Sequence, residues 1–197
     1  PLYPLQRWHY ELIGLPAAWN VTFGSREVVA AVVDSGLAPH PELTSNRVAG
    51  YDFVSFKLNG DSDGLDADPD DPGCAASGTD RFHGTHVAGT VAAAANDSTG
   101  VAGVAGNVSI MPVRALDSCF GGTTYDLMQG IRYAAGLPND SGRLPARRAD
   151  VINLSLSQAG DCDASMAALA AEVRARGVIV VAAAGNDGRS RAVTPAS

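Results

Sequence analysis

A parallel α/β sheet with helices on both faces is the fold class that this chain predicts, and two observations carry it. Apolar runs rich in β-branched residues recur at residues 27–33, 108–116, 151–156 and 177–182. They are continuous rather than alternating, as expected of parallel strands buried on both faces. Between them, residues 125–135 and 166–176 place apolar side chains at helical spacing, so strand, helix and strand follow one another. The 197 residues, 46% of them hydrophobic, suffice for one domain with a sizeable core.

In chain order, residues 1–20 gather Trp8, His9, Tyr10 and Trp19 around a short amphipathic stretch at 15–19, aromatics that glue a terminal segment onto a core. The first strand ends abruptly in Asp34-Ser35-Gly36, and a short strand is expected over 48–54. Residues 59–73 are too rich in Asp, Pro and Gly for a helix or a central strand. The stretch from His83 to Ala93 starts with a Gly-Thr turn and continues in small residues, which lets a helix backbone pack tightly on a neighbour. A polar, Pro- and Gly-containing loop is expected at 137–148. There are no internal repeats and no linker that marks a domain boundary, so residues 1–197 are read as one unit.

Composition excludes some partners. The formal net charge of −7 argues against nucleic acid or an anionic membrane surface. No apolar segment approaches the length of a membrane span. No signal peptide opens the chain, as is also true of a mature secreted protein. Cys119 and Cys162 each fall in a loop just after a predicted strand, so a Cys119–Cys162 disulfide is expected, with the mate of Cys74 in a C-terminal part beyond the sequence. Three scattered cysteines lack the close pairing of a zinc site.

Three polar groups stand where chemistry is expected. Active-site crevices of open α/β sheets form at the carboxyl ends of the strands, and Asp34 ends one strand while Asn186 follows another. A carboxylate that accepts an imidazole N–H fixes the tautomer and stabilises the imidazolium formed when a nucleophile loses its proton. An amide N–H can donate to a developing oxyanion. Alone, the stretch reads as a catalytic imidazole held at a fixed point or as ordinary helix residues, and less as His83 and His86 ligating a metal one turn apart.

Together, Asp34-Ser35-Gly36, His83-Gly84-Thr85-His86-Val87-Ala88-Gly89-Thr90 and Ala183-Ala184-Gly185-Asn186 resemble the subtilisin-like serine proteases, in that family's order. The resemblance spans essentially the whole chain. It implies that Asp34 is the triad aspartate, His83 the general base, Asn186 the oxyanion donor and His86 a structural histidine. It also implies a nucleophilic serine in a later Gly-Thr-Ser-Met-Ala-x-Pro motif, which the 197 residues do not contain. The nearest string, Ala164-Ser165-Met166-Ala167, lacks both flanks, and Ser165 reads as a helix-start residue. The chain therefore reads as the N-terminal portion of a catalytic domain, its sheet incomplete at the C-terminus. On this reading it is inactive alone, its partner being a C-terminal segment or second chain that carries the serine.

The resemblance further implies an extended peptide substrate paired between Phe120-Gly121-Gly122 and Ser155-Leu156-Ser157, with Ala183, Ala184 and Gly185 walling the pocket for the residue before the scissile bond. Ser157 departs from the family's glycine. Calcium is the expected cofactor. One site draws on Gln6, Glu42, Asp97 and the carbonyls of Ala95, Thr99 and Val101, with Glu42 standing where the family has Asp. A second is read from the acidic segment itself, through Asp61, Asp63, Asp66, Asp68 and Asp71, since a flexible oxygen-rich loop suits a hard cation; the alternative is a solvated acidic loop. The expected protein is a secreted, calcium-stabilised endopeptidase acting on peptide or protein. The rival is a non-catalytic binding or regulatory homologue that has lost its nucleophile. A metal-dependent hydrolase is disfavoured, because only Asp34 is at hand to complete a His83 and His86 set.

Overall fold

The computed structural model describes residues 2–55, 64–74, 82–119, 121–157, 163–186, 188 and 194–196. Along the chain run α1 (Tyr3–Leu12), α2 (Leu15–Trp19), β1 (Val29–Asp34), α3 (Pro41–Thr44), β2 (Tyr51–Asp52) and α4 (His83–Ala92). They are followed by β3 (Ser109–Arg114), α5 (Thr124–Ala134), β4 (Val151–Leu154), α6 (Ala164–Ala175) and β5 (Ile179–Ala182). The strands form one sheet in the order β2-β3-β1-β4-β5, and every pairing is parallel.

Alternation along β1 supplies two cores. Val29, Ala31 and Val33 pack on one face with Leu127 and Ile131 of α5 and Met166, Leu169 and Val173 of α6. Ala30 and Val32 pack on the other with Leu43 of α3 and Ala88 and Ala92 of α4. Each Val, Leu, Ile or Met among them taken out of water stabilises by about 1.5–3 kcal/mol, and helices on both faces hide the whole of β1. Helix starts follow local chemistry. The Thr123 hydroxyl accepts the Asp126 N–H at 3.0 Å and caps α5, and Asp163 accepts from Ser165 N at 2.7 Å and caps α6. Ser165 is thus a first-turn residue of α6.

The strand expected over 48–54 shrinks to two residues, and β3 is the reason. Ile110 and Arg114 turn their backbone groups toward the β2 side, where Val48 N donates to Ile110 O and Phe53 N donates to Arg114 O. Pro112 lies between them on the same side and has no N–H to give. Gly50 passes so close that a Cβ there would meet Pro112 O at 1.7 Å.

The disulfide joins Cys74 to Cys119, with Cα atoms 5.0 Å apart. This corrects the expected Cys119–Cys162 bridge and the search for Cys74's mate beyond the sequence. Because β1 lies between β3 and β4, the loop after β3 meets the segment that follows β2 instead of the one that follows β4. Cys162 lies outside the described residues.

The N-terminal residues form a ten-residue helix that the sequence reading did not anticipate. Two aromatics dock it and its neighbour: Tyr10 OH donates to Ala102 O at 2.5 Å and Trp19 Nε1 to Val104 O at 2.8 Å. Trp8, grouped with them, is 72% exposed.

Candidate active site

Parallel pairing places the carboxyl ends of all the strands along one edge, and the expected catalytic groups converge there. Asp34 ends the central strand and is fully buried. His83 opens α4, whose small residues bring it within reach: a Cβ on Gly84 would meet Gly36 O at 2.3 Å and Asp34 Cβ at 3.1 Å. The helix thus sits on the strand end at backbone contact. His83 Nδ1 lies 2.8 Å from Asp34 Oδ1. A carboxylate only accepts, so the proton sits on Nδ1 and Nε2 is the ring's accepting nitrogen. Asp34 Oδ1 also accepts the Ser35 N–H at 2.8 Å, and Oδ2 is buried without a hydrogen bond among the described residues. Such a carboxylate both orients the ring and stabilises positive charge on it.

The His83 side chain is 40% exposed and faces a cleft of about 740 Å³. Asn186 lines the same cleft, as do Gly122 from the loop after β3 and Ser155, Leu156 and Ser157 from the segment after β4. The two expected substrate edges therefore bound one space. Gly121 sits behind that edge, its N–H donating to Asp117 Oδ1 at 2.7 Å, and Phe120 lies outside the described residues. Ala183 N donates to Leu154 O at 3.0 Å and prolongs the β4–β5 ladder. Ala183 and Ala184 are exposed and Gly185 half-buried, beside the cleft rather than among its lining residues. His86 is exposed and lines the cleft as well.

Leu116, Thr124 and Leu127 also line the cleft and were not picked out from the sequence. Their only signal was nearness to Gly121-Gly122. Nothing in the periodicity of α5 says that its first turn faces the site.

The first calcium set is partly assembled. Gln6 exchanges two 2.9 Å hydrogen bonds with the backbone of Ala102, bringing α1 to the loop that carries Ala95, Thr99 and Val101. Glu42 Oε1 accepts from Thr99 Oγ1 at 3.0 Å, and Glu42 Oε2 is buried with no partner among the described residues. An unpaired buried carboxylate oxygen against a loop of carbonyls is a donor set that fits a hard cation. Asp97, fully exposed, accepts the Thr99 N–H at 3.0 Å, which holds its carboxyl below the usual carboxylate range.

In the acidic segment, Asp66 and Asp68 accept the N–H groups of Asp68 and Asp70 at 2.6 and 3.1 Å, and Asp71 turns inward to Ser35. Asp61 and Asp63 lie outside the described residues. Among the described residues, no three His, Cys, Asp or Glu side chains gather as a metal cluster.

The parallel sheet thus sets a buried Asp34 against a half-exposed His83 at the rim of an open cleft along its carboxyl edge. The chain belongs to the subtilase family, whose profile matches residues 25–197. It is similar to an extracellular protease of Xanthomonas campestris pv. campestris, 40% identical over 186 residues, covering 89% of this chain and 32% of that protein. Thermitase of Thermoactinomyces vulgaris is 36% identical over 201 residues, covering 100% of this chain and 60% of thermitase. A solved structure described as proteases from Pseudoalteromonas arctica PAMC 21717 superimposes with a TM-score of 0.81 at 44% identity, covering 88% of this chain and 53% of that one. The chain thus spans between about a third and three fifths of the length of these proteins. Members of the family generally bind calcium.

Proposed function

We propose that this chain is the N-terminal portion of the catalytic domain of a secreted serine endopeptidase. The observation that carries the reading is the 2.8 Å contact between His83 Nδ1 and Asp34 Oδ1 at the edge of a cleft that Asn186 shares. His83 Nε2 takes the proton of a serine hydroxyl, Asp34 holds the ring and stabilises its charge, and the Asn186 amide donates to the oxyanion. The serine comes from a segment outside the 197 residues, which carry no Gly-Thr-Ser motif. The substrate is a peptide or protein segment lying as a strand between residues 120–122 and 155–157. Similarity to proteins named extracellular proteases supports secretion.

The test uses a serine-directed fluorophosphonate probe on the full-length protein and on residues 1–197 alone. The full-length protein is expected to label and the 197 residues to remain unlabelled. Labelling of the short chain, for instance at Ser165, overturns the placement of the nucleophile. A full-length protein that neither labels nor cleaves peptides points to a homologue that keeps the cleft for binding.

Calcium is proposed at two places. Glu42, Gln6 and Asp97 with the carbonyls of Ala95, Thr99 and Val101 hold one ion, and Asp61, Asp63, Asp66 and Asp68 hold another, without Asp71, which was expected in that set but turns inward to Ser35. A bound ion ties α1, α3 and the 95–101 loop together; no catalytic step passes through it. A ligand that binds only the folded form stabilises by mass action. Excess chelator is therefore expected to lower the melting temperature, and an unchanged melting curve removes both sites.

A further inference from the structure

The first turn of α4 carries His83. The residue before it, Phe82, adopts a left-handed conformation with φ of 63° and supplies no side-chain cap. The first N–H groups of a helix have no intrahelical acceptor. That of Gly84 is instead taken by the Ser35 hydroxyl, at 3.1 Å, from the residue that follows Asp34. A hydroxyl that accepts must send its own hydrogen elsewhere to be fixed in place. Ser35 donates to Asp71 Oδ2 at 2.8 Å, and both residues are buried, at 0% and 3% exposure.

Asp71 is itself held on every side. Its Oδ1 accepts the Gly73 N–H at 2.9 Å, and two residues earlier Pro69 O accepts from Leu37 N at 3.0 Å. Gly73 lies under the ring of Phe82, where a Cβ would come within 3.0 Å of the ring, and Cys74 is bridged to Cys119. The segment 69–74 thus grips both the end of β1 and the start of α4.

We propose that Asp71 is a positioning residue for the Asp34–His83 pair: acting through the Ser35 hydroxyl, it locks the first turn of α4, and the imidazole with it, onto the carboxyl end of β1. Ser35 N–H points to Asp34 Oδ1 while Ser35 Oγ joins Asp71 to Gly84, so a single residue ties the orienting carboxylate, the helix that bears the base and a second buried carboxylate. Without Asp71 the hydroxyl is free to rotate, the Gly84 N–H loses a fixed acceptor and the His83 ring gains freedom relative to Asp34. A general base works only when its ring is held in the productive geometry.

The proposal rests on the peptidase reading, and the experiment separates the two. It compares Asp71→Asn and Ser35→Ala with the unmutated full-length protein. An asparagine has the same shape but cannot accept from both Gly73 N–H and Ser35 O–H. Both variants are expected to lower kcat by roughly 10- to 100-fold with KM little changed. In 15N-labelled protein, the His83 Nδ1–H resonance is expected to broaden or move upfield. Ser35→Thr, which keeps the hydroxyl, is expected to restore both. A lowered melting temperature with unchanged kcat and an unchanged resonance overturns the proposal, since Asp71 then serves only stability. If the unmutated protein cleaves nothing, the peptidase reading fails, and the His83 resonance in the variants still decides whether Asp71 positions the ring.

Discussion

The two halves of the site are built on opposite kinds of strand. Asp34 ends β1, whose six residues are all buried and which has a strand on either side. Asn186 follows β5, which among the described residues pairs with β4 alone and on which Ile179 and Val181 are 60% and 51% exposed. The acid–base half is fixed by backbone contact, a buried hydrogen-bond network and two cores. The Asn186 half stands on a four-residue ladder to β4. A general base and an oxyanion donor both act from a preorganised position, so the two halves differ in what fixes them.

The sharpest way to test that division is kinetic. Asp34→Asn keeps the shape but offers the ring an N–H and destroys the tautomer control; a fall of about 10^4-fold in kcat is expected, the scale seen in serine-protease triads. Asn186→Ala removes one donor and is expected to lower kcat by roughly 10^2–10^3-fold. Equal losses would erase the distinction between the halves. Packing gives a second contrast. Gly84→Ala drives a methyl group into the Gly36 carbonyl, so a destabilisation of about 1–3 kcal/mol is expected, with activity lost as α4 lifts from β1. On the β5 half, Ile179→Thr made in a chain of these 197 residues should stay within about 0.5 kcal/mol of the unmutated chain. Denaturant melts of the two variants check both values, and a silent Gly84→Ala would show that the helix has room the geometry denies it.

Much of this architecture was legible because burial on both faces writes itself as an uninterrupted apolar run. β1 and β3, buried along their whole length, announce themselves that way, and the polar residue that breaks the first run is Asp34. The Gly-Thr turn and small residues after His83 likewise imply close helix packing. What remained hidden depends on strand order. The Cys74–Cys119 bridge needs β1 placed between β3 and β4, which no local pattern encodes. The shortness of β2 needs the knowledge that Pro112 points its missing donor that way. Asp71 was indistinguishable in sequence from the other aspartates of its segment, because only the fold turns one of them inward.

Centring the sheet on β1 also governs when the site can exist. Arg26, just ahead of that strand, accepts at its carbonyl from Ser109, 83 residues on, and Val29 bonds to Asp150, 121 residues on. Closing loops of that length must precede any reward from the contacts they enable, so central parallel pairings form slowly and late. Local helices such as α5 and α6 need no such closure. The surroundings of the Asp34 carboxylate thus depend on contacts that span much of the chain, so a partly folded chain is expected to hold no oriented Asp34–His83 pair.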